Sequence, residues 1–195
     1  IRGIVVNTRD ISDRKMSELK ERVYHENLIF LSNSAIDLLG ISDRGDIYKY
    51  IADKLHGFLE DSIVVVASYI EQKDCFKVVE VSGYDNNKVK ITDLIGIEPI
   101  GIEYNKDNVI FSFENAGYVT IFSNPIDDIK LQNFPSDSIK NLFNALNINK
   151  VYNISMARNN KLLGNITIFT LNRTIIKFKH IIEAFVHQVS VALHR

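Results

Sequence analysis

At Ser62 the spacing of apolar residues changes period, and that change constrains the fold more than any other feature of the chain. Before it, Ile47, Ile51, Leu55, Phe58 and Leu59 recur at helical spacing and predict a helix from Ile47 to about Leu59. After it, SIVVVASYI is a β-branched run suited to a central strand that ends at Ile70. Glu71-Gln72-Lys73-Asp74 is a polar turn, and Cys75 to Val81 alternates as the hairpin partner. A second hairpin follows late in the chain. Val151 to Ala157 and Leu162 to Leu171 form its arms, Arg158-Asn159-Asn160-Lys161 its turn, and Gly164 marks a bulge. Leu163, Ile166, Ile168 and Leu171 alternate only approximately.

Helices bracket these hairpins. Met16, Leu19, Val23, Phe30, Ala35 and Leu38 lie near one stripe of a helix from Ser12 to about Leu39. Its stripe is thin before Leu28 and interrupted by Glu26, so the first half reads as a connector and only LIFLSNSAIDLL is rich enough to pack. Gly40 ends that helix, and Asp43-Arg44-Gly45-Asp46 turns into the next. Asp137 to Leu146 is a short helix after Pro135 and Ser136. Lys177 to Arg195 closes the chain with a helical face of Ile181, Ile182, Phe185, Val186, Val189 and Leu193. Two helices, a hairpin, an irregular insert, a second hairpin and a closing helix predict an antiparallel α+β domain.

The chain has 195 residues, 46% of them hydrophobic, which suffices for one domain with a substantial core. Its 23 basic and 24 acidic residues give a net charge of -1, so there is no electrostatic case for nucleic acid or an anionic membrane as partner. Cys75 is the one cysteine and forms no internal disulfide. No apolar run approaches the roughly 20 residues that span a bilayer, and no signal peptide is present, so a cytoplasmic domain is expected.

The first residues suggest a context. Gly3 to Arg9 reads as a strand, and Asp10-Ile11-Ser12-Asp13-Arg14-Lys15 supplies helix-start chemistry. This stretch resembles the exit motif of a PAS sensor domain, in which a last strand runs through such a motif into a signalling helix. The order of elements from Leu28 onward is similar to a GAF domain, with the Asn-rich hairpin turn and the helix IIEAFVHQVSVAL as its nearest local match. The resemblances divide the chain into residues 1–11 as the C-terminal strand of a PAS domain, 12–27 as a connecting helix and 28–195 as a GAF domain. That order resembles multi-domain sensor histidine kinases. It implies a GAF-like antiparallel sheet with the N- and C-terminal helices packed on one face and a lid of loops and a short helix on the other. Such a domain binds a small molecule or partner under the lid and relays the change through its terminal helices. Adjacent PAS and kinase domains of the parent chain and a second copy in a homodimer are its implied partners, without direct membrane contact.

On this resemblance the lid spans Ile91 to Asn149 and carries Tyr104, Phe111, Phe113, Tyr118 and Phe122. These rings either line an apolar cavity with phenol groups for orientation or fill a ligand-free core. The ligand is not identified. Cyclic nucleotide is disfavoured, because Asn160, Lys161 and Phe169 have no matching acidic partner of that family pattern. Cys75 has no neighbouring His and reads as a small buried thiol rather than a bilin anchor. Haem through His56 is a remaining alternative. His180, His187 and His194 recur every seven residues, about 10 Å apart along a helix, which is too far to chelate one ion. They border a helix seam or face solvent. No phosphate-cradling glycine loop, nucleophile elbow or Cys-His arrangement occurs, so no catalysis is expected in this chain, and a histidine kinase parent would carry it. A ligand-free dimerisation spacer, with Ser12 to Leu39 and Lys177 to Arg195 in a four-helix seam, is the rival reading.

Overall fold

A computed structural model describes residues 7–83, 92–93, 96, 98–108, 113–123 and 136–195. Helix α1 is Asn7–Gly40 and α2 is Arg44–Leu59. The hairpin β1 (Ser62–Ile70) and β2 (Cys75–Ser82) follows, then the short strands β3 (Glu103–Asn105) and β4 (Thr120–Ile121). Helix α3 (Ser136–Ala145), the hairpin β5 (Ile148–Arg158) and β6 (Lys161–Leu171), and α4 (Lys179–His194) complete the chain. The strands make one six-stranded antiparallel sheet in the order β3-β2-β1-β6-β5-β4. The expected α+β architecture is present, and both hairpins fall where the period changes.

The strand expected over Gly3 to Arg9 is not seen where it can be judged. Residues 1–6 lie outside the described residues, and Asn7 to Arg9 are already helical. A strand needs a neighbour for its backbone groups, whereas a helix closes those bonds on itself. Ion pairs at helical spacing, Arg14–Glu18 and Arg22–Glu26, both at 2.9 Å, run along this exposed half of α1. The helix is continuous through the expected boundary, and Asn27 is its first buried residue among those whose side chains are described. Helix α2 starts earlier than Ile47 because the Asp43 carboxylate accepts the Gly45 N–H at 2.7 Å and caps the first turn. Strand β5 begins at Ile148 and so takes up the last residues assigned to the lid.

Strand alternation divides the sheet into two faces. Val64 and Val66 of β1, Ile154 and Met156 of β5, and Ile166 and Ile168 of β6 pack with α1, α2 and α4 into the main core. The expected pair of terminal helices thus shares this face with α2. Phe30 of α1 joins all three helices, 4.4 Å from the ring of Phe58 and 5.5 Å from that of Phe185. In β6, Met156 faces Gly164 while Ala157 faces Leu162, so Leu163 is an extra residue and the bulge falls beside Gly164 as expected. A methyl group at Gly164 would lie 2.4 Å from the Ala67 carbonyl oxygen, which explains why no side chain stands there.

A polar tie fixes α1 against α2 at the rim of that core. The Asp37 carboxylate accepts from the Tyr50 hydroxyl at 2.9 Å and from Lys54 Nζ at 3.2 Å. The Tyr50 bond first, and then Lys54, hold the Asp37 carboxyl below the usual carboxylate range. A folded-state value below the unfolded one stabilises the protein above the unfolded carboxylate range and ceases to do so as pH falls through the folded value. Asp37→Asn is therefore expected to lower Tm near neutral pH and to converge with the wild type in acid, in thermal melts taken from about pH 7 down to about pH 3. A constant difference across that range would contradict the tie.

Candidate functional site

The face of the sheet turned away from the helices is built differently from the core face. Central strands β1 and β6 pair Val65 with Thr167 and Ala67 with Asn165, and β6 and β5 pair Thr167 with Asn153 and Asn165 with Ser155. Residues opposite each other in register share a face, so Val65, Ala67, Asn153, Ser155, Asn165 and Thr167 form one continuous floor. On the helix face of the same strands, Val64, Val66, Ile166 and Ile168 are 0% exposed. On this floor Val65, Thr167 and Phe169 are only partly covered, although they stand on the two central strands. The centre of the sheet is thus less completely covered on this face than on the helix face.

The polar residues of the floor are tightly organised. Asn153 Nδ2 donates to Asn165 Oδ1 at 2.9 Å, and Asn165 Nδ2 donates back to Asn153 Oδ1 at 3.1 Å. Asn165 Nδ2 also reaches Ser155 Oγ at 3.4 Å, and Thr167 Oγ1 donates to Asn165 Oδ1 at 3.2 Å. Asn153 and Asn165 are 0% exposed, so the mutual bonds replace the water that both carboxamides have lost. The floor carries amide and hydroxyl groups but no formal charge. It suits an uncharged ligand, or the uncharged part of one, whose polar edge exchanges hydrogen bonds with carboxamides and hydroxyls.

Two apolar clusters flank this strip. Ile63, Ala67, Phe76, Val78 and Tyr104 lie on the β1–β3 side. Phe122, Ile139, Phe143 and Val151 lie on the β4–β5 side, and Ile148 and Phe169 touch both clusters. The anticipated aromatic residues separate accordingly. Tyr104 is buried and stacks on Phe76 at 5.4 Å, and burial raises its phenol well above the ordinary tyrosine range. Phe122 is buried on the opposite flank. Tyr118 is 53% exposed and stands edge-on to His187 of α4 at 6.1 Å, away from the floor. Phe113 opens a short 3-10 turn with its side chain outside the described residues, and Phe111 lies outside them altogether. The structure therefore brings Tyr104 and Phe122 to one face, on either side of the floor, and does not bring Tyr118 there.

Asn153, Ser155, Asn165 and Thr167 escaped the sequence reading, which followed apolar alternation. Their signal was available as polar residues at every second position in both arms of one hairpin. Histidine chemistry does not converge on the floor. His56 pairs its Nδ1 with the Ser62 carbonyl oxygen at 2.9 Å, at the end of α2 on the helix side. Among the described residues no three His, Cys, Asp or Glu side chains are grouped to hold a metal ion. Cys75 is buried, and alternation turns it to the face opposite Phe76. Among the described residues no helix is long and apolar enough to cross a membrane.

The reciprocal carboxamide pair has a measurable signature. Asn165→Leu leaves Asn153 buried without its partner and is expected to cost about 1–3 kcal/mol. Adding Asn153→Leu removes both polar groups, so the double variant should be less destabilised than the sum of the two singles in urea unfolding. Strict additivity would show that the two carboxamides act independently.

No protein-family model and no curated protein matches this sequence. Solved structures do. The GAF domain from an Acinetobacter phosphoenolpyruvate-protein phosphotransferase superposes with a TM-score of 0.62 at 8% identity, over 86% of this chain and 92% of that one. The phycocyanobilin-bound GAF domain from a cyanobacterial phytochrome gives 0.58 at 14% identity, over 85% of this chain and 92% of that one. The chromophore-binding domain of an unusual bacteriophytochrome from R. palustris gives 0.58 at 12% identity over 86% of this chain, which spans 61% of that longer chain. With its six-stranded antiparallel sheet and its terminal helices packed on one face, the chain has a GAF-like fold.

Proposed function

We propose that this chain is a sensory and signal-relaying GAF domain of a two-component sensor histidine kinase, non-catalytic in itself, that binds a small molecule on the floor between Tyr104 and Phe122. The observation that carries the reading is the partly open centre of the sheet at Val65, Thr167 and Phe169, beside a buried and uncharged carboxamide pair. On the helix side the same strands are closed by apolar side chains, so the polar strip belongs to one face of the sheet. One protein of the same fold is described as phycocyanobilin-bound. A covalently held bilin is disfavoured for this chain because its cysteine faces away from the floor.

Relay through the terminal helices draws support from their position. Helices α1 and α4 pack on the face opposite the floor, and α1 extends beyond the packed core through its exposed first half. In the proposed parent, α1 connects to a PAS domain and α4 to a kinase core in the cytoplasm. Met16, Leu19, Leu28, Ile29, Ile36 and Leu39 are exposed along α1, which favours a homodimer built on this helix. A ligand-free dimerisation spacer is the second reading, favoured by the fact that the carboxamide pair satisfies its own hydrogen bonds.

A thermal-shift screen of uncharged metabolites separates the two. A ligand at about 100 times its Kd adds roughly 2.7 kcal/mol of stability. The sensor reading predicts at least one such metabolite, and Val65→Phe, which fills the floor, should abolish its shift while the protein remains folded by circular dichroism. A screen without any stabilising compound would favour the spacer. Sedimentation tests the dimer independently: Ile36→Glu with Leu39→Glu should convert a dimer into a folded monomer, and a wild-type monomer at high concentration would exclude it.

A further inference from the structure

The sheet edge joins the floor to α4 through the segment that carries Gly117 and Val119. The N–H of Gly117 donates to the Ser155 carbonyl oxygen at 2.8 Å, and Thr120 Oγ1 donates to the Asn153 carbonyl oxygen at 3.0 Å. The segment from Gly117 to Thr120 is thereby bound to the same two β5 residues that supply the carboxamide and hydroxyl of the floor. Its other side is held by α4. The N–H of Val119 donates to Glu183 Oε1 at 3.0 Å, and the Tyr118 ring stands edge-on to His187. At Gly117 an added methyl group would lie 2.6 Å from His187 Cε1, so the imidazole rests directly on the glycine. With φ at +84°, this position also favours glycine for its backbone.

The chain turns at Gly117, and the two amides that flank Tyr118 have different owners. The amide of Gly117 belongs to the sheet and that of Val119 belongs to the helix. Glu183 and His187 are one turn apart on α4, so both grip the segment from one helical stripe. We propose that this clasp, Glu183 and His187 of α4 closed on Gly117 and Val119, is the element through which α4 reads the state of the floor. The inference rests on the sensor reading above. A ligand that draws on Asn153, Asn165 or Thr167 shifts β5 against its edge segment, and the segment carries the shift to α4 through one charge-assisted hydrogen bond and one ring contact. Tyr118 is exposed, whereas Val119 packs against the main core beside α4.

The test needs no ligand, so it fails or succeeds separately from the screen for one. Thr167→Val removes a floor hydroxyl with little change of volume and touches neither α4 nor the segment. Hydrogen exchange at the Val119 amide and the Cε1–H resonance of His187 are followed by NMR in the 195-residue chain. Glu183→Leu should speed exchange at Val119 by roughly tenfold, the factor that the loss of one ordinary hydrogen bond implies, and Glu183→Gln, which keeps an acceptor oxygen, should preserve most of the protection. Thr167→Val should move the His187 resonance and leave those of His180 and His194 in place, and the movement should vanish in the Glu183→Leu background. If Glu183→Leu does not fold, Gly117→Ala, which displaces the ring from its seat, serves as the uncoupling background. An unmoved His187 resonance in Thr167→Val, or one that moves equally in the uncoupled background, overturns the proposal.

Discussion

Two carboxamides, Asn153 and Asn165, face each other across the middle of the sheet with no access to water, and the arrangement of the whole molecule depends on how they are satisfied. A buried carboxamide without partners costs about 1–3 kcal/mol, comparable to a sizeable fraction of a domain's total stability. Only the register that places Asn165 opposite Ser155 and Asn153 opposite Thr167 lets each amide serve the other. A slip of either strand by one residue would turn its carboxamide toward the helices and into the apolar core, leaving the other without its partner. The polar pair therefore specifies the β5–β6 pairing, and that pairing positions the hairpin against β1.

The two faces divide the labour. Toward α1, α2 and α4 the sheet presents Val64, Val66, Ile154, Ile166 and Ile168, all fully buried, which supplies the hydrophobic stability of the domain. That dry face leaves the opposite one free to carry polar groups. Tyr104 and Phe122 border the polar strip from opposite flanks, and Phe169 touches both apolar clusters between them. The sensor reading follows from this asymmetry rather than from any single residue.

Much of the fold was legible because hydrophobic period distinguishes strand from helix directly. The hairpins at Ser62 and Val151, the bulge at Gly164 and the closing helix follow from local spacing alone. The helical state of Asn7 to Arg9 was not legible, since β-branched residues just before them carry a strand propensity that only a neighbouring strand can realise. Of the candidate site, the sequence located the aromatic flanks at Tyr104 and Phe122 but missed the floor between them. Asn and Thr at alternate strand positions read locally as a solvent face, and their burial depends on what covers that face. Tyr118 was placed with the other rings by proximity in sequence, whereas the chain turns it at Gly117 toward α4.

The central claim is that the floor at Val65, Asn153, Asn165, Thr167 and Phe169 receives an uncharged small molecule. Side-chain amide resonances of Asn153 and Asn165, followed by NMR as pooled uncharged metabolites are added, test it most directly. The account predicts saturable shifts of these two amides together with the Val65 methyl groups, while Val64 and Val66 on the helix face stay unmoved. Saturable binding whose shifts are confined to the helix face or to α2, with both carboxamides unchanged, would contradict it.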